Sequence, residues 1–284
     1  MVSSEHNTTQ NRAHYDALYS KLSIDGLLRK LERLDAFLAD ATATDTSWVC
    51  MYQDHFKDRL QGAKVLELGC GDCTNAAVMA ALGAQVYAND ISDQSGVLIK
   101  ALNAQADFDF PIQYYQGDFL NLTIDETDFD FVIGKAFVHH LTHEQELAFL
   151  DKIVRLLHPE GEVRYVEPAI NSAFLDALRW MVPVPGRPSS LQVSRFKAWK
   201  ALDPHPDRDN SGAHYKRVGQ QYFKEVSIVP IGALERFNRL FPKAKWNRAF
   251  RRKAYHWERF LPSFLRYRWA RTQTIVYRYP KSQL

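Results

Sequence analysis

Short apolar runs alternate with helical stretches over residues 64–168, and this pattern constrains the fold more than any other feature of the sequence. The strand-like runs are KVLEL, QVYAND, PIQYYQ, FDFVIG and GEVRYVE, separated by stretches such as TNAAVMAAL and EQELAFLDKIVRLL. Such alternation is typical of βαβ units with parallel strands. Two later runs, YFKEVSIV and TQTIVYRY, are expected to complete the sheet. The sequence therefore predicts an α/β fold with a doubly wound, mostly parallel sheet.

Composition is that of a globular protein with one local asymmetry of charge. The 284 residues are 46% hydrophobic, and no apolar run approaches the roughly 20 residues that cross a bilayer. A polar N-terminal stretch and an odd count of three cysteines lead us to expect a cytoplasmic protein with reduced thiols. Residues 213–284 hold 17 Lys and Arg but only three acids, an excess that can attract phosphates, anionic lipid or an acidic partner.

A glycine turn follows the first predicted strand, in VLELGCGDCT at residues 65–74. The nucleotide-binding pattern Gly-x-Gly-x-x-Gly fits Gly69 and Gly71, but Thr74 takes its third position. Glu67 stands two residues before the first glycine, where its carboxylate would repel a pyrophosphate and attract a cation such as an ammonium or a sulfonium. The turn therefore suits a positively charged ligand better than a phosphate.

Two further acids follow the next predicted strands. Asp90 ends the second strand, at the distance from the glycine turn at which an acid accepts hydrogen bonds from ribose hydroxyls. Asp118 follows the third strand, where a carboxylate can accept from an adenine amine while Phe119 packs on the ring. Because ligands of open α/β sheets bind at the carboxyl ends of the strands, we expect Glu67, Asp90 and Asp118 to converge on a nucleoside.

The motifs VLELGCG, VYAND, GDF and FDFVIGKAFVHHL resemble, in order and spacing, those of class I S-adenosylmethionine-dependent methyltransferases. The resemblance covers residues 60–168 and includes LLHPEGEVRYVEP, in which Pro159-Glu160-Gly161 replaces the family's Pro-Gly-Gly turn. EPAINSAFLDALRW and WERFLPSFLRYRWARTQTIVY are more loosely similar to bacterial small-molecule methyltransferases related to the quinone-biosynthesis group. The resemblance implies a Rossmann-like fold of seven strands with helices on both faces. It also implies S-adenosyl-L-methionine as cofactor and S-adenosyl-L-homocysteine as product.

The resemblance also assigns residues to parts of the cofactor. Those expected at its methionine end are Glu67, Gly69, Cys70, Gly71 and Lys135. Those expected at ribose and adenine are Asp90, Ile91, Asp118 and Phe119. In many relatives a helix bearing Tyr-Asp folds over the cofactor, so Tyr15 and Tyr19 are expected to close the pocket, with packing on the core as the alternative.

Changes of pattern divide the chain into four parts. Residues 1–60 are expected to form an N-terminal helical cap, because leucines recur there at helical spacing, and residues 61–170 the cofactor-binding core. Residues 171–221, interrupted by VPVPGRPSS and LDPHPDRDNSG, are interpreted as an insertion that covers the substrate. Residues 222–284 supply the last strands and a basic aromatic helix. Candidates for a substrate wall in the insertion are Trp180, Trp199, His205, His214 and Tyr215.

Candidates for acid-base chemistry lie just beyond the fourth strand, in FVHHLTHEQE. Methyl transfer is an in-line displacement, so a base is needed only if the acceptor must lose a proton. A neutral imidazole can take that proton, and we favour His140, then His139. Glu167, after the fifth strand, is the third candidate, either as a proton acceptor or to orient the acceptor. The alternative is that the histidines cap the next helix or line the pocket, and that Glu167 fixes its own turn.

Several other chemistries are disfavoured by what the motifs lack. The stretch GKAF stands where methyltransferases of base nitrogens carry Asn/Asp-Pro-Pro-Tyr, so we do not expect a DNA substrate. Glu167 precedes Pro168 and not an asparagine, so the magnesium ligands of catechol-type enzymes are absent. Cys70 and Cys73 have the Cys-x-x-Cys spacing, but zinc would need two more good ligands. We therefore expect no metal.

The sequence leaves three functions open. The favoured one is methylation of a small-molecule acceptor, preferably at oxygen, in a biosynthetic setting. The second is methylation of RNA or protein through the basic stretch KAKWNRAFRRKAYHWERF. The third is a non-catalytic protein that lies on a membrane surface, with the aromatic residues Trp246, Phe250, Trp257, Phe260 and Phe264 inserted. A nicotinamide oxidoreductase is disfavoured by Glu67 and Thr74.

Overall fold

The predicted sheet is present in the computed structural model, which describes residue 12 and residues 15–183, 186–201, 206–240 and 245–281. The strands are β1 (Lys64–Leu68), β2 (Gln85–Asp90), β3 (Gln113–Gln116), β4 (Phe129–Lys135), β5 (Leu157–Pro168), β6 (Phe223–Ile231) and β7 (Thr272–Pro280). They form one seven-stranded sheet in the order β3-β2-β1-β4-β5-β7-β6. Only β7 runs antiparallel to its neighbours. The predicted doubly wound, Rossmann-like α/β fold is confirmed.

Helices cover both faces of the sheet. Those of the first part of the chain are α1 (Asp25–Leu31), α2 (Leu34–Thr44), α3 (Thr46–Met51), α4 (Thr74–Ala81), α5 (Asp93–Gln105) and α6 (His143–Leu156). The later ones are α7 (Ala173–Met181), α8 (Val193–Lys200), α9 (Gly212–Tyr222), α10 (Lys245–Glu258) and α11 (Ser263–Trp269). Within the described ranges, no helix combines the length and the apolar character that a membrane crossing requires.

Alternate residues of the central strands point to opposite faces of the sheet and form two apolar cores. Val65 and Phe131 face the side on which α1 to α5 pack, whereas their neighbours Leu66 and Val132 face α6 and α9. Each buried Val, Leu or Phe side chain stabilises the fold by about 1.5–3 kcal/mol. This alternation explains why consecutive apolar residues in these strands are all buried.

Local signals position the segments around the carboxyl ends of the strands. A capping box begins α6, in which the Thr142 hydroxyl accepts from Gln145 N and the Gln145 side chain accepts from Thr142 N. Helix α6 therefore begins directly after Thr142, close to His139 and His140. The long helical stretch expected around WNRAFRRKAYHWERFLPSFL is two helices, because Pro262 lacks the N–H that would continue α10.

The outer parts of the chain differ in how they meet the sheet. Helix α3 of the N-terminal part packs on β5 and β7, where Thr274 Oγ1 donates to Cys50 O at 3.0 Å. Residues 1–11, 13 and 14 of the expected cap lie outside the described residues, as does His205 of the insertion. Helix α9, also assigned to the insertion, packs on β6 and β7 through Tyr215 and Tyr277. Helix α9 therefore belongs to the layer of helices that packs on the sheet. The helices of the expected insertion that stay exposed are α7 and α8.

Candidate cofactor and acceptor site

A cavity of about 320 Å³ lies at the carboxyl ends of β1, β2 and β4. The sheet order reverses at β1, and a crevice forms where successive connections leave toward opposite faces. The residues expected to bind a cofactor that line it are Tyr15, Tyr19, Glu67, Gly69, Cys70, Gly71, Asp90, Ile91, Asp118, Phe119 and Lys135. His140 lines it too. His139 and Glu167 are not among the residues that line the cavity.

The glycine turn after β1 forms one wall of the cavity. Gly69 and Gly71 have φ angles of +65° and +54°, which side chains rarely tolerate. A Cβ atom at Gly69 would lie 2.4 Å from Phe137 Cδ2, and one at Gly71 would lie 2.7 Å from Tyr19 Oη. Glycine is therefore required at both positions by the backbone and by the neighbouring aromatic rings.

Glu67 is a carboxyl group at the base of the cavity with one unused oxygen. The residue is 1% exposed, and its Oε1 accepts a hydrogen bond from Asn75 Nδ2 at 2.9 Å. Asn75 is held in turn by Tyr52, whose hydroxyl donates to Asn75 Oδ1 at 3.0 Å. Among the described residues, Glu67 Oε2 has no hydrogen-bond partner. Burial raises the pKa of Glu67 from 4.5 to about 7, although the hydrogen bond from Asn75 and the charge of Lys135 act in the opposite direction.

Asp90 joins the two loops at the centre of the site. Its Oδ2 accepts from Gly71 N at 2.8 Å and its Oδ1 from Ser92 N at 2.9 Å. Burial raises the pKa of Asp90, although these backbone N–H groups act in the opposite direction. A carboxylate offers roughly four acceptor positions, so the side chain retains capacity for further donors.

Asp118 and Phe119 lie at the far end of the cavity, after β3. Asp118 Oδ1 accepts from Leu120 N at 3.0 Å and so begins the 3₁₀ turn Phe119–Asn121. Phe119 is buried, with its ring centroid 4.9 Å from that of Phe149 and Lys152 Nζ 4.6 Å from its centre. The pair thus presents an acceptor beside an aromatic surface.

A helical segment at residues 15–19 lies over the cavity. Tyr15 and Tyr19 stack with ring centroids 5.4 Å apart. Between them in the chain, Asp16 Oδ1 accepts from Ser92 Oγ at 2.6 Å and from Asp93 N at 3.1 Å. Burial and the Asp90 carboxylate raise the pKa of Tyr19. Its hydroxyl therefore remains a proton donor toward the site.

The three candidates for acid-base chemistry occupy different environments. Glu167 is fully buried, its Oε1 accepts from Phe137 N at 2.9 Å and Val138 N at 2.6 Å, and its Oε2 lies 2.6 Å from His139 Nδ1. His140 faces the cavity, with Nε2 3.2 Å from Tyr15 Oη. Glu167 thus fixes the turn and the His139 ring, which leaves His140 as the candidate in contact with the cavity.

Arg208 was missed by the sequence analysis, and it holds the same turn from the opposite side. Its Nη1 donates to Val138 O at 2.8 Å and Leu141 O at 2.9 Å. Its Nη2 pairs with the buried Glu146 Oε2 at 2.5 Å. Nothing in the local sequence marks this residue, because its partners lie more than 60 positions away in the chain.

Among the described residues, one group of potential metal ligands lies next to this turn. His143, Glu146 and His214 each offer an atom within 4.8 Å of the others. Glu146 Oε2 also accepts from His214 Nε2 at 2.8 Å, so Arg208 and His214 share one carboxylate oxygen. A guanidinium therefore supplies the positive charge in this cluster.

The residues expected to form a substrate wall lie elsewhere. His214 and Tyr215 do not line the cavity. Trp180 and Trp199 pack against each other, with their ring centroids 5.9 Å apart.

Other residues that line the cavity also escaped the sequence analysis. They are Asp72, Asn89, Ala136, Phe137, Leu141, Gln145 and Phe149. Asp72, Asn89, Ala136 and Leu141 adjoin residues that had been assigned, so extending each motif by one position would have included them. Phe149 instead reaches the cavity from within α6, through packing alone.

Comparison with known proteins finds methyltransferases among the relatives of this chain. A family model described as a methyltransferase domain matches residues 65–161. A cypemycin N-terminal methyltransferase from a Streptomyces species is 36% identical over 104 residues, which are 36% of this chain and 40% of that protein. The match thus spans less than half of the length of that relative.

Two solved structures of Haemonchus contortus phosphoethanolamine N-methyltransferases, both with S-adenosylhomocysteine, have a similar fold. The first, with phosphoethanolamine, has a TM-score of 0.53 at 13% identity and covers 99% of this chain and 51% of its own. The second, with phosphomonomethylethanolamine, has a TM-score of 0.50 at 13% identity, and the match covers 92% of this chain and 61% of the other. The family model, the motifs and the sheet order together identify a class I S-adenosylmethionine-dependent methyltransferase domain in this chain, and the two solved structures share its fold.

Proposed function

We propose that the chain is an enzyme that transfers a methyl group from S-adenosylmethionine to a hydroxyl oxygen of a small molecule, with His140 as proton acceptor. The observation that carries the proposal is the unpartnered Oε2 of Glu67, buried at the base of a cavity that Asp90 and His140 also line. A buried carboxylate without a partner is costly, and a cationic ligand removes that cost.

The residues around the cavity fit S-adenosylmethionine. Glu67 Oε2 would accept from the ammonium group, the turn from Gly69 to Gly71 would lie along the methionine part, and Asp90 would accept from the ribose hydroxyls. Asp118 and Phe119 would hold the adenine. When bound, this cofactor supplies a methyl group on a positively charged sulfur. Tyr15 and Tyr19 would cover the site and exclude water, which favours in-line displacement by an aligned acceptor.

His140 is the group that would move a proton. Its Nε2 shares a hydrogen bond with Tyr15 Oη at the cavity, so a proton leaving an acceptor hydroxyl can reach Nε2 directly or through the tyrosine hydroxyl. The pair formed by His139 and the buried Glu167 lies next to it, with the two histidine ring centroids 4.3 Å apart. Glu167 and Arg208 would keep the turn, and with it the imidazole, in place.

A second candidate is methylation of an amine, such as the amino terminus of a peptide. It is favoured by the name of the relative from Streptomyces, a cypemycin N-terminal methyltransferase. His140 suits this reaction as well, because an ammonium must lose a proton before its nitrogen can attack.

Calorimetric titration tests the cofactor assignment. We expect binding of S-adenosylmethionine and S-adenosylhomocysteine and none of NAD⁺. Binding of NAD⁺ without S-adenosylmethionine would overturn the proposal.

Mass spectrometry of methyl transfer to panels of phenols, alcohols, amines, and peptides with free or acetylated amino termini then tests the acceptor. Methylation confined to free amines or free peptide amino termini would select the second candidate over the first.

His140→Ala tests the proton acceptor. General-base catalysis contributes about 10²–10⁴-fold, so the turnover rate should fall in this range while the affinity for S-adenosylmethionine changes little. His55→Ala is the matched control, because that imidazole is exposed and does not line the cavity. Full activity of the His140 variant would remove it as the base.

A further inference from the structure

Helix α7 turns its apolar stripe toward water. Four large apolar side chains on it or directly after it, Phe174, Leu178, Met181 and Val182, are exposed, and Phe174 is exposed to 71%. Their spacing of four, three and one positions places them on one side of the helix. None of the nine residues of α7 is buried. An amphipathic helix in this orientation lacks the apolar neighbour that its sequence requires.

Helices α10 and α11 expose a second apolar surface, made of aromatic side chains. Trp246 is 80% exposed, Phe260 69% and Phe264 61%, and Trp257 is exposed as well. Trp246 and Trp257 are eleven positions apart, about three helical turns, so they lie on the same side of α10 and about 16 Å apart along it. The buried side of α10 instead carries Ala254 and Glu258.

Helices α7 and α11 border one open groove. Ala173, Ala177 and Trp180 of α7 line this groove together with Tyr267 of α11. Asn171, just before α7, donates from Nδ2 to Tyr267 O at 3.0 Å and so joins the two helices. We call the exposed apolar side chains of these neighbouring segments together the outer face: Phe174, Leu178, Met181, Val182, Trp246, Trp257, Phe260 and Phe264.

The segments that carry the outer face are strongly basic. Residues 171–201 contain five Lys and Arg and one acidic residue. Residues 245–271 contain nine Lys and Arg and one acidic residue. Both acids are engaged internally: Asp176 accepts from Trp180 Nε1 at 3.0 Å, and the buried Glu258 accepts from Gly232 N at 2.9 Å. Asp40 and Glu235 pair with Arg248, Arg251, Arg252 and Arg271. The surface still carries a clear excess of positive charge.

We propose that the outer face binds the surface of an anionic lipid membrane. Tryptophan and phenylalanine side chains bordered by Lys and Arg match the boundary between acyl chains and negatively charged headgroups. A second copy of this chain would bring two positive surfaces together, which opposes a symmetric dimer through this face. A nucleic acid would match the charge but leave Leu178, Met181 and Val182 in water. This binding does not depend on the proposed methyl transfer.

Co-sedimentation with sucrose-loaded vesicles tests the proposal. Vesicles of phosphatidylcholine containing about a third phosphatidylserine should bind the unaltered chain at least about tenfold more tightly than phosphatidylcholine alone, and added salt should weaken binding.

Two double variants remove apolar contacts from different helices, Phe174→Ser with Leu178→Ser and Trp257→Ala with Phe260→Ala. Each should weaken binding by about tenfold or more, because several exposed side chains lose their burial in the interface. All four side chains are exposed, so thermal unfolding should stay unchanged.

The matched control is Lys100→Glu with Phe110→Ser. Both residues are exposed and lie beside β3, at the opposite edge of the sheet from β6 and α11. This control should bind vesicles like the unaltered chain.

Absence of binding to anionic vesicles at low salt would overturn the proposal, as would equal binding by all variants. Without vesicle binding, retention of a single-stranded RNA that the variants lose would assign the face to nucleic acid. A dimer that the variants lose would assign it to a second copy.

Discussion

Glu67→Gln should change how the stability of the ligand-free protein depends on pH. Burial raises the pKa of Glu67 to about 7, so between pH 4.5 and about 7 the folded protein binds a proton that the unfolded chain has lost. Stability from the neutral carboxyl is therefore complete below pH 4.5 and is lost as the pH rises through about 7. Between about pH 5 and pH 8 this loss amounts to about 2.5 kcal/mol, because each pKa unit corresponds to about 1.4 kcal/mol.

The glutamine variant lacks this loss, since its side chain does not ionise. Chemical denaturation of both proteins at about pH 5 and pH 8 should show the variant gaining about 2–3 kcal/mol relative to the unaltered chain at the higher pH. Comparing the two pH values cancels any pH-independent cost of burying the amide. Glu32→Gln is the matched control, because that side chain is exposed to water.

The same Glu67→Gln substitution should weaken S-adenosylmethionine binding, because the amide cannot neutralise an ammonium. A variant whose relative stability is the same at both pH values would refute the claim that burial raises the pKa of Glu67. Stabilisation at high pH with unchanged cofactor affinity would keep that claim and refute the ammonium assignment.

Three other substitutions probe the geometry of the site. Gly69→Ala should lower stability by about 1–3 kcal/mol, because φ is +65° at this position and the new methyl group would clash with the Phe137 ring. An unchanged denaturation midpoint would contradict this strain at the turn. Asp90→Asn should weaken S-adenosylmethionine binding about tenfold or more in calorimetry, and unchanged affinity would refute the ribose assignment. Arg208→Ala should cost about 3–5 kcal/mol in chemical denaturation by removing the guanidinium from the buried Glu146, and Glu146→Gln in the same chain should restore part of it.

The parallel part of the sheet and its central site were accessible from the sequence because their signals are local. A strand, a glycine turn and a helix follow one another within residues 64–81, and the acids stand at the ends of consecutive strands. Once those strands are parallel, their carboxyl ends meet at one edge, so Glu67, Asp90 and Asp118 face one cavity.

Contacts between distant segments were not accessible in this way. Arg208 reaches Val138 and Leu141 across about seventy positions, and no periodicity or motif in the loop that carries it predicts that contact. Glu167 could be read from the sequence as a reactive acid or as the anchor of a turn. Its full burial and the hydrogen bonds from Phe137 N and Val138 N assign it to the anchor.

The sequence by itself determined the fold class, the position of the site and the preference for a cationic nucleoside, because strand order and motif spacing are properties of neighbouring residues. Only the tertiary structure decided that His140 faces the cavity while His139 is held by Glu167. The two residues are of the same type, and only the folded backbone sets the direction in which each side chain points. It also decided that the apolar stripe of α7 faces water, because the side of a helix that is covered depends on which elements fold against it.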